Sequence, residues 1–131
     1  MSGITDLDKL LVSMSPKLMD GHYVFCTVQG KLSEYVQYNP LATYQETEGL
    51  TLVLPLEEAR QGEFEFTSVY CLITLMVHSS LDAVGLTAAV ANKLKSYDIS
   101  ANVIAAYYHD HIFIQKEKAE LALDALKEFS S

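Results

Sequence analysis

The sequence predicts an α+β protein made of two related, ferredoxin-like modules, the first of them reduced. Three observations carry this expectation. Short β-branched and aromatic runs alternate with helical stripes along the chain. A strand-to-helix junction recurs sixty residues downstream without a gap. The second half reads strand–helix–strand–strand–helix, the larger part of a βαββαβ unit.

Each element follows from its own residues. Leu7, Leu10, Leu11 and Met14 fall at spacings of three and four, which predicts a helix over about Thr5–Ser13. Thr5 with Asp8 forms a candidate capping box, and Ser15-Pro16 stops the helix. The Tyr23–Val28 run predicts a strand over about Gly21–Gln29. Gly30–Pro40 reads as a loop. Leu41–Glu46 and Leu50–Leu54 form a hairpin turning at Glu48-Gly49, and Leu56–Arg60 adds a helical turn. Gln61-Gly62-Glu63 is the linker candidate, so the modules are expected at 1–62 and 63–131, packed together.

The second module opens with a nearly continuous apolar strand over about Phe66–His78. A helix over about Ala83–Ser96 follows, with Ala83, Thr87, Val90, Leu94 and Tyr97 as its inner stripe. Ser100–Tyr108 and Ile112–Gln115 are strands joined through His109-Asp110-His111. The last helix covers about Lys116–Phe129. The repeat aligns Thr47–Ala59 with Tyr107–Ala119, each a tight turn, a short apolar strand and an acid-rich helix start.

Composition narrows the function. Among 131 residues, half are hydrophobic and a fifth charged, which is globular composition. Seventeen acids against nine bases give a net charge of −8, which repels a phosphate backbone and argues against nucleic-acid binding. No apolar run approaches the roughly 18 residues of a membrane span. The Met1–Asp8 start lacks the features of a secretory signal, so a cytoplasmic location is expected. In that compartment Cys26 and Cys71 are expected as buried free thiols rather than a disulfide.

The stretches Val77–Leu86 and Ile99–His111, together with Pro40–Tyr44 and Glu48–Val53, resemble the ACT-domain superfamily. Within it the chain is similar to small tandem-ACT bacterial proteins of uncharacterised function. Tyr107-Tyr108-His109-Asp110-His111 is the most specific part of the likeness. The resemblance implies paired ferredoxin-like modules that act as regulatory binding domains for amino acids or similar small metabolites, often as homo-oligomers.

It also implies a site. The ligand loop would comprise Ser79, Ser80, Leu81, Asp82, Val84 and Gly85, continuing onto Asn102, Val103 and Ile104 of the next strand. A helix start offers N–H groups and positive dipole to a carboxylate. Asp82 or the Asn102 oxygen would accept from an ammonium, and Gly85 permits close approach. The plainer alternative is that Ser80 and Asp82 cap the helix while Gly85 eases packing.

His109 and His111 have a metal-ligand spacing, but a polar turn with Asp110 bonding locally accounts for them without a metal. No nucleophile elbow, P-loop or dinucleotide fingerprint is present, so no cofactor and no enzymatic activity are expected. A ligand-free interaction module is the second function class, and a small metal-dependent enzyme the third.

Overall fold

The computed structural model describes residues 6–78 and 84–130. The chain divides into two compact units, one formed by residues 1–20 with 71–131 and the other by 21–70. Residues 6–20 therefore fold with the C-terminal half, and the second unit is an insertion in sequence.

In the discontinuous unit, α1 (Leu7–Val12) is capped by Asp6, whose carboxylate accepts from the Asp8 and Lys9 N–H groups at 3.0 and 3.3 Å. The cap thus lies at Asp6, not at the expected Thr5. Leu10 and Met14 are fully buried. The chain then forms β1 (Pro16–Leu18), which pairs antiparallel with β5 (Tyr70–Leu75) through Pro16↔Leu75 and Leu18↔Ile73. β1 escaped the sequence reading because three residues are too few to display alternation. α3 (Leu86–Lys95), β6 (Asn102–Ala105) and β7 (Asp110–Gln115) follow, then a 3₁₀ turn at Lys116–Lys118 leading into α4 (Ala119–Lys127).

Strand neighbours run β1-β5-β7-β6. β1 comes first in the chain but occupies the place of the last strand in a βαββαβ unit. Alternation sends Ile73, Leu75 and Val77 into one core with Ile112 and Ile114, under the α3 stripe Leu86, Val90 and Leu94. Burying each such side chain contributes about 1.5–3 kcal/mol.

Several expected boundaries move. The long strand over Phe66–His78 is only Tyr70–Leu75, and the helix expected from Ala83 starts at Leu86. Thr87 is exposed, so the inner stripe passes through Leu86 instead. The hairpin does not turn at His109–His111. The Ala106 N–H donates to the His109 carbonyl at 3.0 Å, and Asp110 and His111 already belong to β7.

The inserted unit comprises β2 (Tyr23–Val28), two 3₁₀ turns (Leu32–Glu34 and Val36–Tyr38), β3 (Ala42–Gln45), β4 (Leu50–Pro55) and α2 (Leu56–Gln61). Its strands neighbour as β3-β4-β2, all antiparallel. Val24, Cys26, Leu52, Leu54 and Ala59 form its core. Where the other unit has α3, this one has the 3₁₀ turns, which present Tyr35 and Tyr38 to Phe64. The Tyr38 and Phe64 rings meet edge-on at 4.9 Å. Gly62 lies against that pair, where a Cβ would fall 2.5 Å from the Phe64 ring.

The sixty-residue repeat is visible atom by atom. β3 and β4 pair through Ala42↔Val53 and Gln45↔Leu50, while β6 and β7 pair through Asn102↔Phe113 and Ala105↔Asp110, the same register shifted by sixty in both strands. Glu46 N–H donates to Gly49 O at 2.9 Å, as Ala106 does to His109. Pro55 (φ −56°, ψ 140°) and Gln115 (φ −51°, ψ 135°) make the same strand-to-helix corner.

Candidate functional site

Of the nine residues expected to bind ligand, Ser79, Ser80, Leu81 and Asp82 lie outside the described residues. Val84 is 83% exposed. Gly85 is not within the first helical turn, as expected, but is the N-cap of α3, at φ 98°. That left-handed backbone requires glycine, since a Cβ there is strained. A Cβ would also meet Leu7 Cδ2 of α1 at 3.1 Å. Gly85 has no side chain with which to cap the helix, so the start of α3 is not closed by its own cap residue. The N–H groups of such a helix start suit an anion.

On β6 the three candidate residues divide by alternation. Val103 packs against the helix-covered core, so it presents its side chain to that core rather than to a ligand. Asn102 and Ile104 lie on the opposite sheet face, where Ile104 stands across from His111 and Asn102 from Phe113. The Asn102 Nδ2 donates to the Phe113 carbonyl at 3.2 Å. This bond orients the amide, leaving its Oδ1 as the acceptor for an incoming donor.

Beside these strands stands an aromatic and imidazole group. His111 Nδ1 and Thr74 Oγ1 share a hydrogen bond of 2.9 Å, and Thr74 is buried. Burial, and then the neighbouring charge of His109, push the His111 pKa below its ordinary value. His109 Nδ1 lies 3.3 Å from the Val77 carbonyl; a carbonyl only accepts, so this nitrogen carries the proton. The His78 and Tyr108 rings meet at a tilt with centroids 5.4 Å apart, and Tyr107 and Tyr108 meet edge-on at 5.0 Å. Tyr107 and Tyr108 remain largely exposed.

The sequence singled out this string but could not show that His109 ties the β6–β7 turn to Val77, two residues beyond β5. Thr74 was missed altogether, because one threonine in an apolar strand carries no signal of its partner. Both histidines use Nδ1 within the protein, and among the described residues no three His, Cys, Asp or Glu groups are placed to hold a metal ion. Cys26 and Cys71 are buried and unpaired, and burial raises both thiol pKa values. No helix among the described residues is long and apolar enough to cross a membrane.

Comparison with known proteins places this geometry. Two ACT-domain family models match in tandem, over residues 2–71 and 67–128. A Vibrio cholerae protein of unknown function, described as a possible transport protein, is 62% identical, with 99% of this chain and 100% of that one covered and a TM-score of 0.90. An Agrobacterium tumefaciens protein shares the fold at 14% identity, TM-score 0.73, covering 88% and 87% of the two chains. So does the ligand-free regulatory subunit of aspartate kinase from Thermus thermophilus, at 10% identity and TM-score 0.63 over 92% and 99%. No curated protein matches the chain. With two tandem family models spanning nearly its whole length, this chain belongs to the ACT-domain family.

Proposed function

We propose that this protein is a ligand-sensing regulatory module that binds an amino acid or similar small metabolite through the unit that contains its C-terminal half. Two observations support the reading: an α3 start whose cap, Gly85, has no side chain, and the oriented amide of Asn102. The helix start offers N–H groups to a carboxylate, and the Asn102 oxygen accepts from an ammonium. Ser79, Ser80, Leu81 and Asp82 complete the loop in this proposal, with Val84 and Ile104 as its apolar contacts. The fold shared with an aspartate kinase regulatory subunit supports the regulatory role. Among the described residues β6 ends the strand order of its unit, and an edge strand favours a homo-oligomer, which light scattering tests directly.

A thermal-shift screen against the twenty amino acids tests ligand sensing. A ligand at 100 times its Kd adds about 2.7 kcal/mol, or roughly 4 °C for a domain of this size. Asn102→Ala should then weaken binding of the hit by about 1–3 kcal/mol in calorimetry, since a polar ligand group loses its partner. A screen without a hit, using protein that unfolds cooperatively, would turn the assignment toward a ligand-free interaction module.

A further inference from the structure

The inserted unit contains a cleft of about 320 Å³ that none of the foregoing uses. Gly21, His22 and Tyr23 at the start of β2 form one wall, and Pro55, Leu56, Glu57 and Arg60 at the β4–α2 corner form the other. The Leu56 N–H donates to the His22 carbonyl at 2.9 Å, which fixes the walls to each other. The volume suits a small ligand.

Arg60 is the only arginine in the chain. Its Nη1 alone meets Glu57, at 3.4 Å from Oε1 and 3.3 Å from Oε2. The rest of the guanidinium fork has no partner among the described residues, and a fork of N–H donors matches a carboxylate with two parallel bonds. The Glu57 carboxylate, touched by one nitrogen, keeps lone pairs for another donor. Glu58 does not compete, because its Oε2 accepts from Asn39 Nδ2 at 3.0 Å. A plain anion would be opposed by Glu57 and a plain cation by Arg60. A molecule with a carboxylate and an ammonium on one carbon satisfies both. Pro55 and Leu56 supply apolar surface for its remainder.

We propose that this cleft binds a small zwitterion bearing an apolar substituent, its carboxylate on Arg60 and its ammonium on Glu57. The site is independent of the one at Gly85 and Asn102. It is not the repeat's counterpart of it either, since it uses the beginning of β2 rather than the segment after it. The positions sixty residues beyond Glu57 and Arg60 are Glu117 and Glu120, so the other unit has no equivalent charge pair.

The test is an amide NMR titration of the whole chain with leucine, with isocaproate (leucine without its ammonium) and with isoamylamine (leucine without its carboxylate). Leucine should move the Gly21–Tyr23 and Leu56–Arg60 amides along a saturating curve, and neither half-molecule should saturate them over the same range. Arg60→Gln, at an exposed position, should raise the dissociation constant read from these amides by about tenfold or more, the loss of a charge-assisted bond. Glu57→Gln should weaken leucine in the same set. Amides near Asn102 report the other site separately and should not follow either variant. Unmoved cleft amides, isocaproate binding as tightly as leucine, or wild-type titration by both variants would overturn the proposal.

Discussion

The β3–β4 and β6–β7 hairpins have one backbone and two chemistries. Registers, the turn bond donated by Glu46 or Ala106, and the corner into the following helix coincide after a shift of sixty residues. At the turns, however, Gly49 and Thr51 stand where the second hairpin has His109 and His111. Thr51 Oγ1 donates to its neighbour Glu46 at 2.8 Å, a local bond on an exposed surface. His109 and His111 instead reach across to β5 and the residues after it, at Val77 and Thr74. Both turns are tied to a neighbouring strand, but from opposite sides: Gln29, just beyond β2, donates its Nε2 to the Glu48 carbonyl of the first turn at 2.9 Å, whereas the second hairpin reaches outward with its own histidines.

The strongest test of equivalence is in the two cores. Leu54 and Ile114 occupy matching positions and are both fully buried. Leu54→Ala and Ile114→Ala should each cost about 2–5 kcal/mol, measured by urea denaturation. A cost confined to one of them would show that only one hairpin anchors its unit.

Gly85 has no counterpart in the inserted unit, where 3₁₀ turns replace α3. Gly85→Val places a branched side chain at φ 98° and against Leu7, so it should destabilise by about 1–3 kcal/mol and abolish ligand binding. Stability unchanged in a thermal melt would mean that the backbone relaxes there freely.

His111 separates the hairpins by pH. Its folded pKa is depressed below 6.5, so below that pH the unfolded chain binds more protons than the folded one. The associated stability is complete above about pH 6.5 and is lost as pH falls through the folded pKa of His111. His111→Gln should flatten this part of the stability–pH curve, whereas Thr51→Val, at the matching position, should leave its slope unchanged. The smallest effect is on stability itself: Thr51→Val at neutral pH should shift it by no more than about 0.5 kcal/mol, because its bond is exposed.

Much of this was legible in the residues. The hairpins, the helix stripe through Val90 and Leu94, and the repeat from Thr47 to Ala59 all show periodicity or turn chemistry within a dozen residues. The candidate loop was read from a family likeness. That Val103 packs on the core while Asn102 and Ile104 share the other face follows only from knowing which face of β6 is covered.

Local sequence by itself determined the element types, the strand alternation and the sixty-residue repeat, because those depend on neighbours a few positions apart. Tertiary structure alone decided that Pro16–Leu18 pairs with β5, that α1 joins the C-terminal core, and that Arg60 faces His22 across a cleft. Such contacts span tens of residues, and their free energy comes from burial and pairing between segments that carry no mark of one another in sequence.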